Sequence, residues 1–311
     1  MKTKLFIIGF LISSITIAQN FIEQDLIISD YVEGTLLIPN KKTKTLVIII
    51  PGSGPTDRDG NQNFGKNNSL KFLAEGLTTN NIATFRYDKR ALTMLKKGVN
   101  ATEISKVRFD DFIADAKRVV TYFNRNKRYE NIYIMGHSQG SLVAMLATQK
   151  NVTGFISLAG AGNSIDAVIM DQLKNMGVQQ SMLDEAQKTF KILKNGEIDK
   201  EFSPHLANIF NLDIQPFMMS WIKFSPTQEL ANLNIPILII NGDRDLQVSV
   251  AEATLLKEAK KDSQLAIIKN MNHVLKTVET DSTQDNMKTY NMQDLKNNPE
   301  LLNVILKFLK K

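Results

Sequence analysis

Short runs of consecutive apolar residues alternate along this chain with longer segments whose apolar residues recur at helical spacing. The clearest runs are residues 45–50, 82–87, 131–135, 152–158 and 235–240. Continuous runs rich in β-branched residues are typical of strands that are buried on both faces of a parallel sheet. Strands that alternate with helices form βαβ units, so the sequence predicts an α/β fold with a mostly parallel central sheet flanked by helices.

One stretch interrupts this alternation. Residues 163–225 contain no convincing strand and are rich in methionine. We predict that they form a helical cap inserted into an α/β core made of residues 19–162 and 226–311. Methionine side chains are flexible, so those of the cap could line an adaptable apolar pocket, or could equally pack in a small core of the cap itself.

The first residues have the pattern of a targeting segment. Lys2 and Lys4 precede an apolar run, and small residues stand before Gln19. This pattern predicts a bacterial-type signal peptide over residues 1–18, with the mature chain secreted or periplasmic and not stably inserted in the membrane. An uncleaved membrane anchor is the alternative.

Composition excludes several classes of function. The chain has no cysteine, which rules out disulfides, a thiol nucleophile and thiolate metal sites. Its net charge of +6 is spread along the sequence without a basic stripe interleaved with aromatic residues, so we expect no nucleic-acid partner. The sequence leaves the oligomeric state open.

The most informative motif is the segment GHSQG at residues 136–140. It stands between the strand predicted at 131–135 and a helix predicted at 141–149, which is the setting that a G-x-S-x-G nucleophile turn requires. Such a turn projects the serine hydroxyl, here that of Ser138, above the sheet at the start of a helix, where negative charge is favoured. The alternative is that Ser138 only caps the helix.

The GHSQG motif and the succession of predicted strands and helices resemble those of the α/β-hydrolase superfamily. Within that superfamily, the chain is most similar to the branch of lid-bearing esterases and serine aminopeptidase-like enzymes. The resemblance covers most of the mature chain. It implies the α/β-hydrolase fold, with a catalytic serine, acid and histidine that follow one another in that order along the sequence. Neither a metal nor an organic cofactor is implied.

A serine hydroxyl is a poor nucleophile without a neighbouring base. The chain has three histidines, His137, His205 and His273. Family order and its place in a loop after the strand at 265–268 favour His273 as the base. We expect the side chain of His137 to point away from the hydroxyl, and His205 to belong to the cap.

The base needs a carboxylate that orients it. Asp243 and Asp245 both follow the strand at 235–240. The spacing alone does not separate them, but the resemblance to a Gly-x-x-Asp pattern of the family selects Asp245. The resemblance therefore implies a triad of Ser138, Asp245 and His273.

Acyl transfer also requires backbone amides that stabilise the negative charge on the carbonyl oxygen. We expect the amide of Gln139 to be one donor and that of Ser53, in the loop after the strand at 45–50, to be the other, with Gly52 or Gly54 as alternatives. Family members often have His-Gly where this chain has Pro-Gly, but a backbone donor is unaffected. The turn YDKR at 87–90 resembles a structural turn of the family, and we assign it no catalytic role.

These residues predict a serine hydrolase that cleaves carboxylic esters and whose partner is a small acyl substrate. Serine peptidase and thioesterase activities are the alternatives on the same fold. A secreted binding protein without catalysis is the alternative from another class, but the complete set of Ser138, Asp245 and His273 argues against it.

Overall fold

The computed structural model describes residues 21–148 and 150–310, so the predicted signal peptide at residues 1–18 lies outside the described residues. Eight strands of this described part form a single sheet. The strands are β1 (Phe21–Ser29), β2 (Val32–Pro39), β3 (Thr45–Ile50), β4 (Ala83–Tyr87), β5 (Asn131–His137), β6 (Gly154–Leu158), β7 (Ile237–Gly242) and β8 (Gln264–Ile268).

The sheet has the strand order β1-β2-β4-β3-β5-β6-β7-β8. β1 and β2 are antiparallel to their neighbours, whereas all pairs from β4 to β8 are parallel. The predicted α/β fold with a mostly parallel central sheet is therefore confirmed. The sequence does not predict β1, because this edge strand has an exposed polar centre and is held by backbone hydrogen bonds to β2.

Thirteen α-helices lie in the described residues. They are α1 (Ser69–Thr79), α2 (Arg90–Lys96), α3 (Ala101–Ile104), α4 (Phe109–Asn126), α5 (Gln139–Ala147), α6 (Ile165–Asn175), α7 (Gln180–Lys194), α8 (Ala207–Phe210), α9 (Gln215–Ile222), α10 (Pro226–Ala231), α11 (Val250–Ala259), α12 (Thr283–Lys288) and α13 (Pro299–Leu309). Short 3-10 helices span Pro204–Leu206 and Thr289–Asn291. None of the helices in this part of the chain is long and apolar enough to cross a bilayer.

Helices cover both faces of the sheet. α4 and α5 pack on one face, where apolar residues of α4 at helical spacing meet those of β3, β4 and β5. α1 and α13 cover the other face. Burial of one large apolar side chain is worth about 1.5–3 kcal/mol, so these two interfaces are the main source of stability for the three layers.

The predicted cap region contains helices and no strand. α6 to α9 lie between β6 and β7 and share a core of their own, in which the rings of Phe190 and Phe210 meet with centroids 4.8 Å apart. Trp221 of α9 stacks on Phe109 of α4 at 5.3 Å, which connects these helices to the α/β core. Some methionines of the region, such as Met218, are buried in this packing.

The parallel strands place several loops at one edge of the sheet. β3, β5, β7 and β8 run in the same direction, so the loops that follow them meet beyond their carboxyl ends. In open α/β sheets this edge is where ligands bind. These loops contain Ser53, Ser138, Asp245 and His273.

Candidate active site

The nucleophile turn consists of a single residue between a strand and a helix. β5 continues through His137 and α5 begins at Gln139, so both elements extend closer to Ser138 than the sequence predicts. Ser138 has φ 54° and ψ −123°, a backbone conformation that is rare for a residue other than glycine. Strain of this kind clusters at functional sites.

The turn can be this sharp because glycines stand on both sides of it, at positions 136 and 140. A Cβ at Gly136 would lie 2.0 Å from the carbonyl oxygen of Gly140, and a Cβ at Gly140 would lie 2.5 Å from the carbonyl oxygen of Ile50. Both distances are far below van der Waals contact, so a side chain at either position would push strand, helix and neighbouring loop apart. The N–H of Ser138 donates to the Leu158 carbonyl at 2.9 Å and anchors the turn to β6.

Asp245 and His273 form a hydrogen-bonded pair. His273 Nδ1 donates to Asp245 Oδ2 at 2.8 Å, and the side chains are 6% and 0% exposed, respectively. The other carboxylate oxygen, Asp245 Oδ1, accepts from the backbone N–H groups of Gln247 at 2.8 Å and Val248 at 2.9 Å. The carboxylate is thus held from two sides and presents one oxygen to the imidazole.

Ser138 lies beside this pair. Ser138 and His273 both line a cavity of about 160 Å³, and the Ser138 side chain makes no hydrogen bond to any described residue. The structure thus joins His273 to Asp245 directly and brings Ser138 to the same cavity without a hydrogen bond to His273. Hydrogen bonds between nucleophile and base are often long without substrate and tighten when it binds, so this arrangement is compatible with a triad.

The other candidate residues for base and acid have different partners. His137 is buried, and its Nε2–H donates to the backbone carbonyl of His273 at 2.8 Å. Burial, together with the neighbouring His273 ring, lowers the pKa of His137 to about 4, so it is neutral at physiological pH and holds the base in place. His205 is exposed in a 3-10 helix. Asp243 accepts the N–H of Asn270 at 2.6 Å and so tethers the loop that leads to His273.

The candidate oxyanion loop passes close to the nucleophile. A Cβ at Gly52 would lie 3.2 Å from Ser138 Cβ, and Ser53, Ser138 and Gln139 line one cavity of about 300 Å³. Gln139 is the first residue of α5, so its N–H has no acceptor within the helix. The Ser53 carbonyl accepts from the Thr56 hydroxyl at 2.6 Å and from Gln62 Nε2 at 2.8 Å, which orders this loop.

Known proteins share sequence and fold with this chain. The family model for serine aminopeptidases (S33) matches residues 67–204. Esterase EstD of Thermotoga maritima is 27% identical over 274 residues, which cover 85% of this chain and 63% of that protein. The chain has the α/β-hydrolase fold. It spans less than two thirds of the length of this relative.

Solved structures of other proteins share this fold. Est1E from Butyrivibrio proteoclasticus superposes with a TM-score of 0.57 at 17% identity, covering 93% of this chain and 99% of its own. The Pyrococcus furiosus esterase Pf2001 superposes with a TM-score of 0.54 at 14% identity, covering 93% of this chain and 90% of its own. At these identities the likeness shows the fold alone.

The site contains one buried lysine to which the sequence assigns no role. Lys89, in the turn after β4, is only 4% exposed. Its Nζ donates to the Gly52 carbonyl at 3.1 Å and to Gln139 Oε1, and lies 3.8 Å from the centroid of the Phe112 ring. Burial lowers the pKa of Lys89 to about 7. Nothing in the sequence distinguishes this lysine, because its surroundings come from three distant segments.

Among the described residues, no group of three histidine or acidic side chains is arranged to hold a metal ion. The groups that the site presents are the hydroxyl of Ser138, the imidazole of His273, the carboxylate of Asp245 and the backbone amides around them.

Proposed function

We propose that this chain is a serine hydrolase that cleaves carboxylic esters, transferring the acyl group first to Ser138 and then to water. The observation that supports it most strongly is the 2.8 Å hydrogen bond from His273 to the buried Asp245 beside a serine held at positive φ. That combination activates a hydroxyl nucleophile and has little purpose in a binding protein.

In the proposed cycle, His273 takes the proton of Ser138 as Oγ attacks the acyl carbon. The carbonyl oxygen becomes an oxyanion that the amides of Gln139 and Ser53 stabilise, while Asp245 stabilises the charged imidazole. His273 then gives the proton to the leaving oxygen and the ester C–O bond breaks. Water repeats the attack on the acyl-enzyme with His273 as base, and the released acid restores Ser138.

The larger cavity at Ser138 has the character of an acyl site. Its apolar lining is supplied by the α/β core and by helices α6 and α9. These residues are Leu142, Ala161, Ile165, Val168, Ile169, Trp221, Pro226 and Val248. A cavity of about 300 Å³ with walls of this kind would bind an apolar acyl group by desolvation.

The lining favours an ester over a peptide substrate with a free amino terminus. An aminopeptidase has to bind the ammonium group of its substrate, and a carboxylate is the side chain that does this best. Among the described residues, no carboxylate lines either cavity at Ser138. The names of EstD and Pf2001 identify both as esterases, which supports the same choice.

Three butyryl substrates and one aminoacyl substrate test this proposal. The purified protein would be given p-nitrophenyl butyrate, butyryl p-nitroanilide, a butyryl thioester and alanine p-nitroanilide. We expect the highest kcat/KM with the ester and no cleavage of alanine p-nitroanilide. Faster cleavage of alanine p-nitroanilide would establish the aminopeptidase alternative, and inactivity towards all four would overturn the proposal.

The acyl site makes a prediction for Val168, which lines the cavity from α6. The Val168→Phe variant should place extra ring atoms in the cavity and exclude long acyl chains. We expect the ratio of kcat/KM for p-nitrophenyl octanoate to that for the acetate to fall about tenfold. Met176→Phe, which changes a residue of the same segment that is 76% exposed, is the matched control and should leave the ratio unchanged. An unchanged ratio in Val168→Phe would place the acyl chain elsewhere.

A further inference from the structure

Two cavities of different character meet at Ser138. The apolar cavity is lined by Ser138 and Gln139 but not by His273, whereas His273 lines the cavity of about 160 Å³. In the proposed cycle, His273 gives its proton to the oxygen that leaves. The leaving alcohol must therefore occupy the cavity that contains His273, while the acyl group occupies the apolar one.

The cavity on the His273 side presents hydrogen-bonding groups that other described residues leave unused. The Tyr290 hydroxyl accepts from Gln247 Nε2 at 3.2 Å, so its own proton is free to be donated. Burial raises the pKa of Tyr290 to about 12, which keeps that proton in place. Ser69 Oγ and Asn67 Nδ2 also line this cavity and make no hydrogen bond within the described part of the chain.

The same cavity offers acceptors as well as donors. Gln62 turns its Nε2 towards the Ser53 carbonyl and the Thr56 hydroxyl, and its Oε1 bonds to no described residue. Gln247 Oε1 is likewise unbonded within the described residues. Donors and acceptors around one small space match hydroxyl groups, because each hydroxyl both donates and accepts.

Charge and size limit the alcohol further. No lysine, arginine, aspartate or glutamate lines this cavity among the described residues, which disfavours phosphorylated and quaternary ammonium alcohols. A volume of about 160 Å³ equals that of about five water molecules at ~30 Å³ each, which suits a polyol or a single sugar ring.

We propose that this cavity binds a neutral polyhydroxylated alcohol, a sugar or a glycerol-like polyol, as the leaving group of the ester. The inference rests on the proposed function, since it assigns the second half of the same substrate.

Esters with one acyl group and different alcohols test this inference. We expect kcat/KM for 6-O-butyrylglucose or glyceryl monobutyrate to exceed that for hexyl butyrate about tenfold, because only the polyols can use the polar groups. A preference for one of the two polyols would tell sugar from glycerol. A preference for hexyl butyrate would overturn the inference while leaving the proposed function intact, whereas inactivity towards every ester would overturn both.

The variant Tyr290→Phe is a second test of the proposed alcohol site. We expect it to lower the ratio of kcat/KM for the preferred polyol ester to that for p-nitrophenyl butyrate about tenfold, because the nitrophenyl group offers no hydroxyl to Tyr290. Tyr129→Phe is the matched control, since Tyr129 precedes β5 at the opposite edge of the sheet, and it should leave the ratio unchanged. An equal loss on both substrates in Tyr290→Phe would contradict a contact with the alcohol.

The buried lysine of the site, Lys89, has an unusual set of partners. Lys89 makes no ion pair with a carboxylate among the described residues, although an unpaired buried cation is costly. Instead it joins the two segments expected to carry the oxyanion donors, through the Gly52 carbonyl and the Gln139 side chain. The Gly52 carbonyl and the Ser53 N–H belong to one planar trans peptide and point in opposite directions.

We infer that Lys89 is a positioning residue, which holds the Gly52–Ser53 peptide and Gln139 so that both amides face the developing oxyanion. By binding the carbonyl from the core side, the amino group of Lys89 fixes the direction of the Ser53 N–H on the cavity side. Lys89 does not touch the substrate in this arrangement and acts through the backbone.

Lys89→Met tests this role, because methionine has a similar length and lacks the donor. We expect kcat for p-nitrophenyl butyrate to fall about tenfold to a hundredfold with KM little changed, and the affinity for a butylboronic acid, which becomes tetrahedral on Ser138, to fall in parallel. Lys106→Met, at an exposed lysine paired with Glu103, is the control and should change neither value. A lowered Tm in Lys89→Met with unchanged kcat and boronate affinity would reduce Lys89 to a structural residue.

Discussion

Ser138→Ala is expected to lower kcat for ester hydrolysis about 10⁵-fold, because it removes the only group proposed to bond to the acyl carbon. The residual rate would come from the oxyanion amides and from binding alone. The Ser138 side chain makes no hydrogen bond among the described residues, so its loss should leave Tm within about 2 °C of the unaltered protein.

This expectation can be tested on the unaltered protein and on Ser138→Ala by active-site titration, initial-rate measurements and thermal unfolding. Ser105→Ala, at the exposed end of α3, is the control for a serine lost elsewhere and should be fully active. Retention of more than about a tenth of the kcat by Ser138→Ala would contradict covalent catalysis at this residue.

Asp245→Asn is expected to lower kcat about 10³-fold to 10⁴-fold by changing the tautomer of His273. The backbone N–H groups of Gln247 and Val248 donate to Asp245 Oδ1, so the asparagine oxygen should remain there and its NH₂ group should turn towards His273. An NH₂ group facing Nδ1 leaves the proton on Nε2, where it prevents His273 from accepting the proton of Ser138. The geometry would be preserved while the base is blocked.

Asp243→Asn is the matched control for this acid. Asp243 Oδ1 accepts the N–H of Asn270 at 2.6 Å, and an asparagine oxygen can accept the same bond. We expect kcat within about threefold of the unaltered protein for Asp243→Asn. Measured kcat values that fall with Asp243→Asn and not with Asp245→Asn would reverse the choice between these two carboxylates.

Much of the fold follows from local sequence. The buried strands β3 to β7 and helices such as α4 have patterns that fix their type, because one apolar run or one helical stripe is enough to define each. β1 has no such pattern, since its residues 23–25 are polar and exposed and its pairing depends on β2. The short helices α2 and α3 also escape prediction, because their few turns bury little apolar surface.

The residues of the candidate site also differ in how well the sequence predicts their roles. The GHSQG turn has a local signature, and the resemblance to a family supplies an order for the acid and the base. The contacts of Lys89 and His137 have no such signature, because each depends on the approach of segments far apart in sequence. The sequence also does not predict that His137 donates a hydrogen bond to the backbone carbonyl of His273, since a histidine next to a nucleophile can have several roles.

Labelling with a fluorophosphonate, followed by intact mass measurement and peptide mapping, tests most directly whether a serine of this turn is activated by the Asp245–His273 pair. We expect one equivalent of phosphonate on the peptide that contains Ser138, with labelling abolished in Ser138→Ala and strongly slowed in Asp245→Asn. A folded protein that takes up no phosphonate, or takes it up on another serine, would contradict the proposed catalytic site.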